Sequence, residues 1–372
     1  MHHKHRITDA EEQHAISTDR RRRADKRDAG GHGGTSRWHE GGDTVTRIPL
    51  SVLDQVPVHY GTRRSTALAE TVAFAQAAEE LGCHRFWVAE HHGDRSHACG
   101  SPEVLAAAIG AVTTRIRVGV GAFPLPLYAP WKVAESISVL AGLAPGRTDA
   151  GVCRGPGATQ EALAALVAHH APGLPRPFEE LAAELVRLLG RRAGDLKSMP
   201  LIITGSGPGS ARLAARLGLP YVFGQFALKD PRPDLVGLYR EAFEPSPWLE
   251  TPKAVLALRV AAADSADTVD ALTAGFAGVL AGAAHLPPEA RRQLASGALP
   301  TTASCLPDAP LTPVPVPDVG SMLIRGDGRT LRRPLADHLS LHEPDELMVT
   351  VWSPDLHGRV RALELVRDAL PH

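Results

Sequence analysis

Four cysteines in 372 residues, none in a C-x-x-C pair, leave too little sulfur for a disulfide framework or a zinc ribbon. A reducing, cytoplasmic setting is the expectation. No apolar run reaches the roughly 18 residues of a membrane span, and residues 1–20, MHHKHRITDAEEQHAISTDR, hold no apolar segment of the signal-peptide kind. Neither membrane insertion nor secretion is expected. Excess charge of one sign is missing too: 40 Lys and Arg stand against 41 Asp and Glu, so bulk charge offers nothing to nucleic acid. Residues 1–45 are poor in apolar side chains, with nine Lys/Arg, among them Arg20, Arg21, Arg22 and Arg23, interspersed with eight Asp/Glu. Such a composition cannot offset the entropy of ordering. The segment reads as a disordered tail ahead of a globular body at 46–372.

From residue 47 onward short β-rich runs alternate with Ala/Leu-rich amphipathic segments, the pattern of parallel strands joined by helices. The strand candidates are 47–53, 85–89, 116–122, 147–153, 200–204, 220–225, 253–262 and 346–352. Helix ends are punctuated: Gly82 closes 66–81, Ser101-Pro102-Glu103 opens a helix to about Thr113, and Pro130 opens 130–142. Eight alternations fit a TIM (β/α)8 barrel better than a doubly wound sheet, and strands buried on both faces explain the nearly unbroken apolar runs. A long insertion separates strands seven and eight. It includes a helix at 267–282 and the Pro-rich stretch LPDAPLTPVPVPD at 306–318, and about 284–340 of it is expected to form a lid over the carboxyl end.

In a barrel, functional residues gather at the carboxyl ends of strands. Here strand two ends in Glu90-His91-His92, strand three in Gly119-Val120-Gly121-Ala122, strand four in Cys153-Arg154-Gly155, and strand five runs into Gly205-Ser206-Gly207-Pro208-Gly209-Ser210. The last turn can aim backbone N–H groups into one concavity at a helix N-terminus, which suits a phosphate, and Arg154 supplies a fixed cation beside it. Adjacent residues on a strand point to opposite sides, so only one of His91 and His92 faces the mouth, where an imidazole serves as acid or base. A metal set of His91, His97 and Cys99 matches no ligand spacing, so no metal is expected. Cys153 reads as a small buried filler, as a thiol activated by the neighbouring cation, or as a residue packed against a cofactor ring.

The segments FWVAEHH (86–92), SPEVLAAAIGAVTTRIRVGVGA (101–122), the Ala129-Pro130 helix start, PGRTDAGVCRGPG (145–157), LAARLGLPYVFG (213–224) and DELMVTVW (345–352) together resemble the bacterial luciferase family of flavin-dependent oxidoreductases. The likeness covers about 47–370 and is greatest to its short single-chain branch, which includes natural-product monooxygenases such as the mensacarcin-pathway enzyme. It implies a TIM barrel that binds reduced FMN, supplied by a separate flavin reductase, and reacts it with oxygen to a flavin hydroperoxide. By this resemblance His91 is the catalytic histidine, Gly121-Ala122 a non-prolyl cis peptide under the ring, Cys153 the reactive cysteine, and Arg154 and Ser210 phosphate ligands. Gly207 stands where the family has a phosphate-binding serine and Pro208 removes an N–H, so Ser206 is the substitute ligand. The implied activity is an FMNH2-dependent monooxygenase acting on a small organic, aromatic polyketide-type metabolite, working as a homodimer joined through helices of the first half. A deazaflavin-dependent hydride-transfer enzyme and a non-catalytic flavin-binding protein are the alternatives.

Overall fold

The computed structural model describes residues 48–168, 176–192, 201–280, 288–301 and 318–371. Parallel strands β1 (Leu50–Asp54), β2 (Arg85–Val88), β3 (Arg117–Pro124), β4 (Thr148–Cys153), β5 (Leu201–Gly205), β6 (Tyr221–Gly224) and β7 (Ala254–Ala263) pair in sequence order. After an insertion that contains β8 (Ile324–Asp327), the chain returns as β9 (Glu346–Val351) between β7 and β1 and closes the ring. The eight expected barrel strands are all present. β8 was not expected. It pairs only with Val260–Ala263 of β7, beyond the point where β6 stops, and its sequence IRGD is too short and too charged to show a strand period.

Helices α1 (Arg64–Glu80), α2 (Pro102–Val112), α3 (Pro130–Leu143), α4 (Gln160–Val167), α5 (Phe178–Gly190), α6 (Pro208–Arg216), α7 (Pro233–Glu241), α8 (Ala266–Leu280), α9 (Pro288–Ala295), α10 (Arg332–His342) and α11 (Leu356–Ala369) join them. Proline opens α2, α3, α6 and α7, where its missing N–H is no loss, and Gly82 takes the left-handed conformation (φ +79°) that ends α1. The outer core, with Phe74, Phe86, Ile109, Ile137 and Leu185 fully buried, lies between strands and helices.

The barrel interior is layered. At its floor Arg85 donates from Nε and Nη2 to the two oxygens of Glu346 (2.7 and 2.8 Å) and from Nη1 to Asp149 (2.7 Å), while Ser51 donates to Glu346 (2.6 Å). Above it Trp87 is fully buried across the lumen and donates from its indole nitrogen to Asp149 at 3.2 Å. The indole and neighbouring carbonyls together explain three glycines of β3 and β4: a Cβ would stand 2.6 Å from the indole at Gly121, 2.8 Å from it and 2.6 Å from the Asp149 carbonyl oxygen at Gly119, and 2.9 Å from both it and the Val120 carbonyl oxygen at Gly151.

Two attachments hold the described parts of the insertion against the carboxyl end. Leu272, Phe276 and Ala277 of α8 form a satellite core with Ala261, Val319, Leu323 and Trp352. Beyond α9, Leu299 exchanges backbone hydrogen bonds with Val58 (3.0 Å) and Tyr60 (2.8 Å) of the β1–α1 loop. The tail at 1–45 and the Pro-rich stretch, through 317, lie outside the described residues.

Candidate active site

The phase that turns Arg85, Trp87 and Ala89 inward carries His91 into the mouth of the barrel. Its backbone N–H is fixed by the Cys99 carbonyl at 2.9 Å. The ring stacks on His97 with centroids 4.2 Å apart and planes 20° off parallel. Nδ1 is buried and has no partner among the described residues. Burial, then the neighbouring His97, pushes the imidazole down to about 3, so it is neutral at pH 7. His97 in turn lies 2.5 Å from Asp94. Burial raises that carboxyl, but hydrogen bonds from His97 and Ser96 outweigh it and hold Asp94 below the usual carboxylate range.

His92 takes the other side, as the alternation requires. Its Nε2 is 2.6 Å from Glu90 Oε1, and the Tyr128 hydroxyl donates to the same oxygen. Burial pushes the Glu90 carboxyl up against the pull of Tyr128 and His92. Its second oxygen, Oε2, is buried without a partner among the described residues. Sequence reasoning assigned no role to Glu90, although it stands in the same AEHH run. Tyr128, on the β3–α3 connection, gave no signal at all.

The Gly121–Ala122 peptide is cis, at the irregularity where β3 shifts register against β4. Cys153, the last residue of β4, donates to the Gly155 carbonyl at 3.4 Å. Burial, reinforced by the negative charge of Glu90, pushes its thiol up to about 12. Of the three readings of Cys153, activation by the neighbouring cation is not favoured, because the Arg154 guanidinium pairs with Glu179 at 2.7 Å. Cys153 is a protonated thiol at the mouth, unsuited to nucleophilic attack.

Arg154 instead meets the turn before α6. Its Nη2 lies 3.1 Å from where a Cβ on Gly209 would stand, which places the cation over the first turn of the helix. Gly207 caps α6, and a Cβ there would touch nothing within 4 Å, so the family's serine has open room and no steric demand explains the glycine. Ser206 is not the substitute ligand expected, since its hydroxyl proton is committed to the Gly224 carbonyl at 2.6 Å, joining the tops of β5 and β6. The Ser210 hydroxyl makes no hydrogen bond among the described residues. Arg154, Gly207, Gly209 and Ser210 therefore come together as an anion cradle of cation, helix N-terminus and uncommitted hydroxyl. His91, Cys153 and the cis peptide occupy the same carboxyl face. A phosphate-bearing ligand with a polar ring could use both halves: the cradle could hold the anion, and the unsatisfied His91 Nδ1 remains for the ring side.

Among the described residues no group of three or more His, Cys, Asp or Glu gathers as a metal site, and no helix is long and apolar enough to cross a membrane.

The model of the luciferase-like monooxygenase family matches residues 47–300. Over 336 residues the chain is 36% identical to the uncharacterized protein YwcH of Bacillus subtilis, covering 87% of this chain and 99% of that protein. Over the same length it is 32% identical to a luciferase-like monooxygenase of Escherichia coli K12, covering 87% and 98%. Among solved structures, apo-MsnO8 superposes with a TM-score of 0.74 at 29% identity, covering 87% of this chain and 98% of its own.

Proposed function

Because the chain belongs to the luciferase-like monooxygenase family and is a flavin-dependent monooxygenase, we propose that it is the oxygenating component of a two-component system. It takes reduced FMN from a separate flavin reductase and oxygenates a small organic substrate of the aromatic polyketide type. The observation that carries this reading is the guanidinium of Arg154 over the first turn of α6, on the face of the barrel that also holds His91 and the cis peptide. Reduced FMN, when bound, would supply the electron pair with which dioxygen is divided between substrate and water.

The protein's own residues bind, shield and move one proton. Arg154, Ser210 and the first turn of α6 hold the phosphate. Trp87 closes the lumen from below, and Leu299, held against the β1–α1 loop, shields the rim of the mouth. His91, neutral and with a free buried Nδ1, accepts or returns the proton. The thiol of Cys153 stays protonated and offers no competing nucleophile. Association as a homodimer is supported by apolar side chains left exposed on α2 and α3: Val104, Val112, Trp131, Val139 and Leu143.

Photoreduced FMN mixed with the protein and air tests the proposal. Reoxidation slower than that of free reduced FMN is expected. A deazaflavin enzyme would leave FMN reoxidation unchanged while binding deazaflavin, and a carrier would bind FMN without altering its reaction with oxygen.

A further inference from the structure

β7 is apolar from Ala254 to Leu258 and again from Val260 to Ala263, with one arginine between, Arg259, in the inward phase of Val255 and Ala257 and in register with Thr350 of β9. Its guanidinium lies between two rings, 5.2 Å from the centroid of Phe226 and 4.9 Å from that of Phe276. Its polar contacts are thin for a group with five N–H donors. Nη1 reaches the Phe226 carbonyl at 3.3 Å, and Nη2 reaches Gln55 Oε1 at 3.5 Å. The two fully buried arginines are treated differently: Arg85 has Glu346 and Asp149, and Arg359 has Asp54 and Glu70, whereas Arg259 is half-buried at the mouth. No carboxylate among the described residues pairs with Arg259. Burial alone draws its guanidinium down to about 10, which leaves it charged at neutral pH. A half-buried cation held between two rings, with no carboxylate of its own, is poorly compensated and is completed by a ligand that brings the opposite charge.

Where that ligand enters follows from the strand order. Arg259 lines a cleft with Gln55, His97, Thr350, Trp352 and Asp54, whose carboxylate is already taken by Arg359 and Thr71, on the side of the mouth formed by β1, β7 and β9, across the ring from the anion cradle of β4 and β5. The cleft is narrow and opens to the mouth, so only the end of a substrate reaches the guanidinium from there. The charge of Arg259 is also felt at His91, so whatever it holds lies near the imidazole.

We propose that Arg259 is the subsite for an oxyanion on the organic substrate, a carboxylate in the first instance, and that the enzyme selects acidic substrates over their neutral amides. The proposal rests on the oxygenase reading of the mouth. The guanidinium offers its N–H edge to the carboxylate while Phe226 and Phe276 hold its plane, and the body of the substrate remains in the mouth beside His91.

The test is a panel of aromatic and aliphatic carboxylic acids, each beside its primary amide, titrated into the full-length protein by ligand-observed NMR with and without oxidised FMN. Acids should bind about tenfold tighter than amides, as expected for hydrogen bonds to a charged group. Arg259→Leu should erase that preference and Arg259→Lys should keep part of it. Amides binding as well as acids, no acid binding at all, or a preference that survives Arg259→Leu would each overturn the proposal. So would an Arg259→Leu protein that loses FMN but not riboflavin, because the cation would then serve the flavin phosphate. Should the leucine variant fail to fold, Arg259→Gln decides in its place. Failure of the wild type to bind FMN defeats the flavin reading separately, since the acid-against-amide comparison is also read without flavin.

Discussion

At the floor of the barrel Arg85 places three hydrogen bonds on two carboxylates, and Ser51 and Arg117 complete those carboxylates from the sides. At the mouth, further along the strands, His91 keeps a bare nitrogen and Arg259 a guanidinium without an acid among the described residues. The residue types are alike and the treatment is opposite. Charges at the floor are closed on one another and serve the fold, whereas those at the mouth are held open at the fold's expense and are completed by what binds there.

Substitutions should separate the two ends by what they damage. The largest effect is expected from Arg85→Met, which strands Glu346 in the dry lumen: about 3–5 kcal/mol of stability, measured as a fall in the urea midpoint. A loss below about 1 kcal/mol would mean the floor is not a closed network. At the mouth, His91→Ala should cut turnover of the reductase-coupled enzyme by about a hundredfold or more while the urea midpoint and FMN affinity stay close to wild type. Unchanged turnover removes His91 from the chemistry.

Acid sharpens the contrast. His59, on the rim beside Pro300, is pushed by burial from 6.5 down to about 4. Between those values the unfolded chain binds the proton and the folded one does not, so stability falls as pH drops through that window and is flat above it. From pH 7 to 5 this one histidine should remove about 2 kcal/mol, and His59→Gln should flatten the urea midpoint against pH by that amount; an unaltered slope would place the acid sensitivity elsewhere. The smallest effects belong to the cradle. Arg154→Ala should weaken FMN about tenfold and leave riboflavin alone, and equal losses would defeat the phosphate assignment. Glu179→Gln, which frees Arg154 from an exposed pair worth about 0.2–1 kcal/mol, should tighten FMN a few-fold in the same titration.

The barrel was legible because its strands are apolar on both faces and its helices begin at prolines and end at glycines. β8 was not, because four residues with two charges carry no period. The choice of His91 came from the family resemblance, but the placing of one histidine of the His91-His92 pair at the mouth and the meeting of Arg154 with the α6 turn followed from strand ends. The role of Ser206 did not, since a hydroxyl's choice between ligand and the Gly224 carbonyl depends on the neighbouring strand. For Cys153 the sequence left filler, activated thiol and ring contact open, because adjacency to Arg154 says nothing of where the guanidinium goes. Tyr128 meets Glu90 across 38 positions, a tertiary contact with no local mark. Arg259 did leave a trace, as the lone charge within the apolar run from Ala254 to Ala263, at an inward-facing position.

Trp87 carries a consequence for how this lumen can evolve. With the indole in place, a methyl group at Gly119, Gly121 or Gly151 collides at 2.6–2.9 Å. Shrinking the indole first leaves a void that typically costs about 3–5 kcal/mol. At Gly119 and Gly151 the Asp149 and Val120 carbonyl oxygens stand at 2.6 and 2.9 Å from the same methyl position, so a smaller ring would not by itself admit a side chain there; drift can rewrite the rim one residue at a time, but the middle of the barrel is locked by its backbone as well as by its ring.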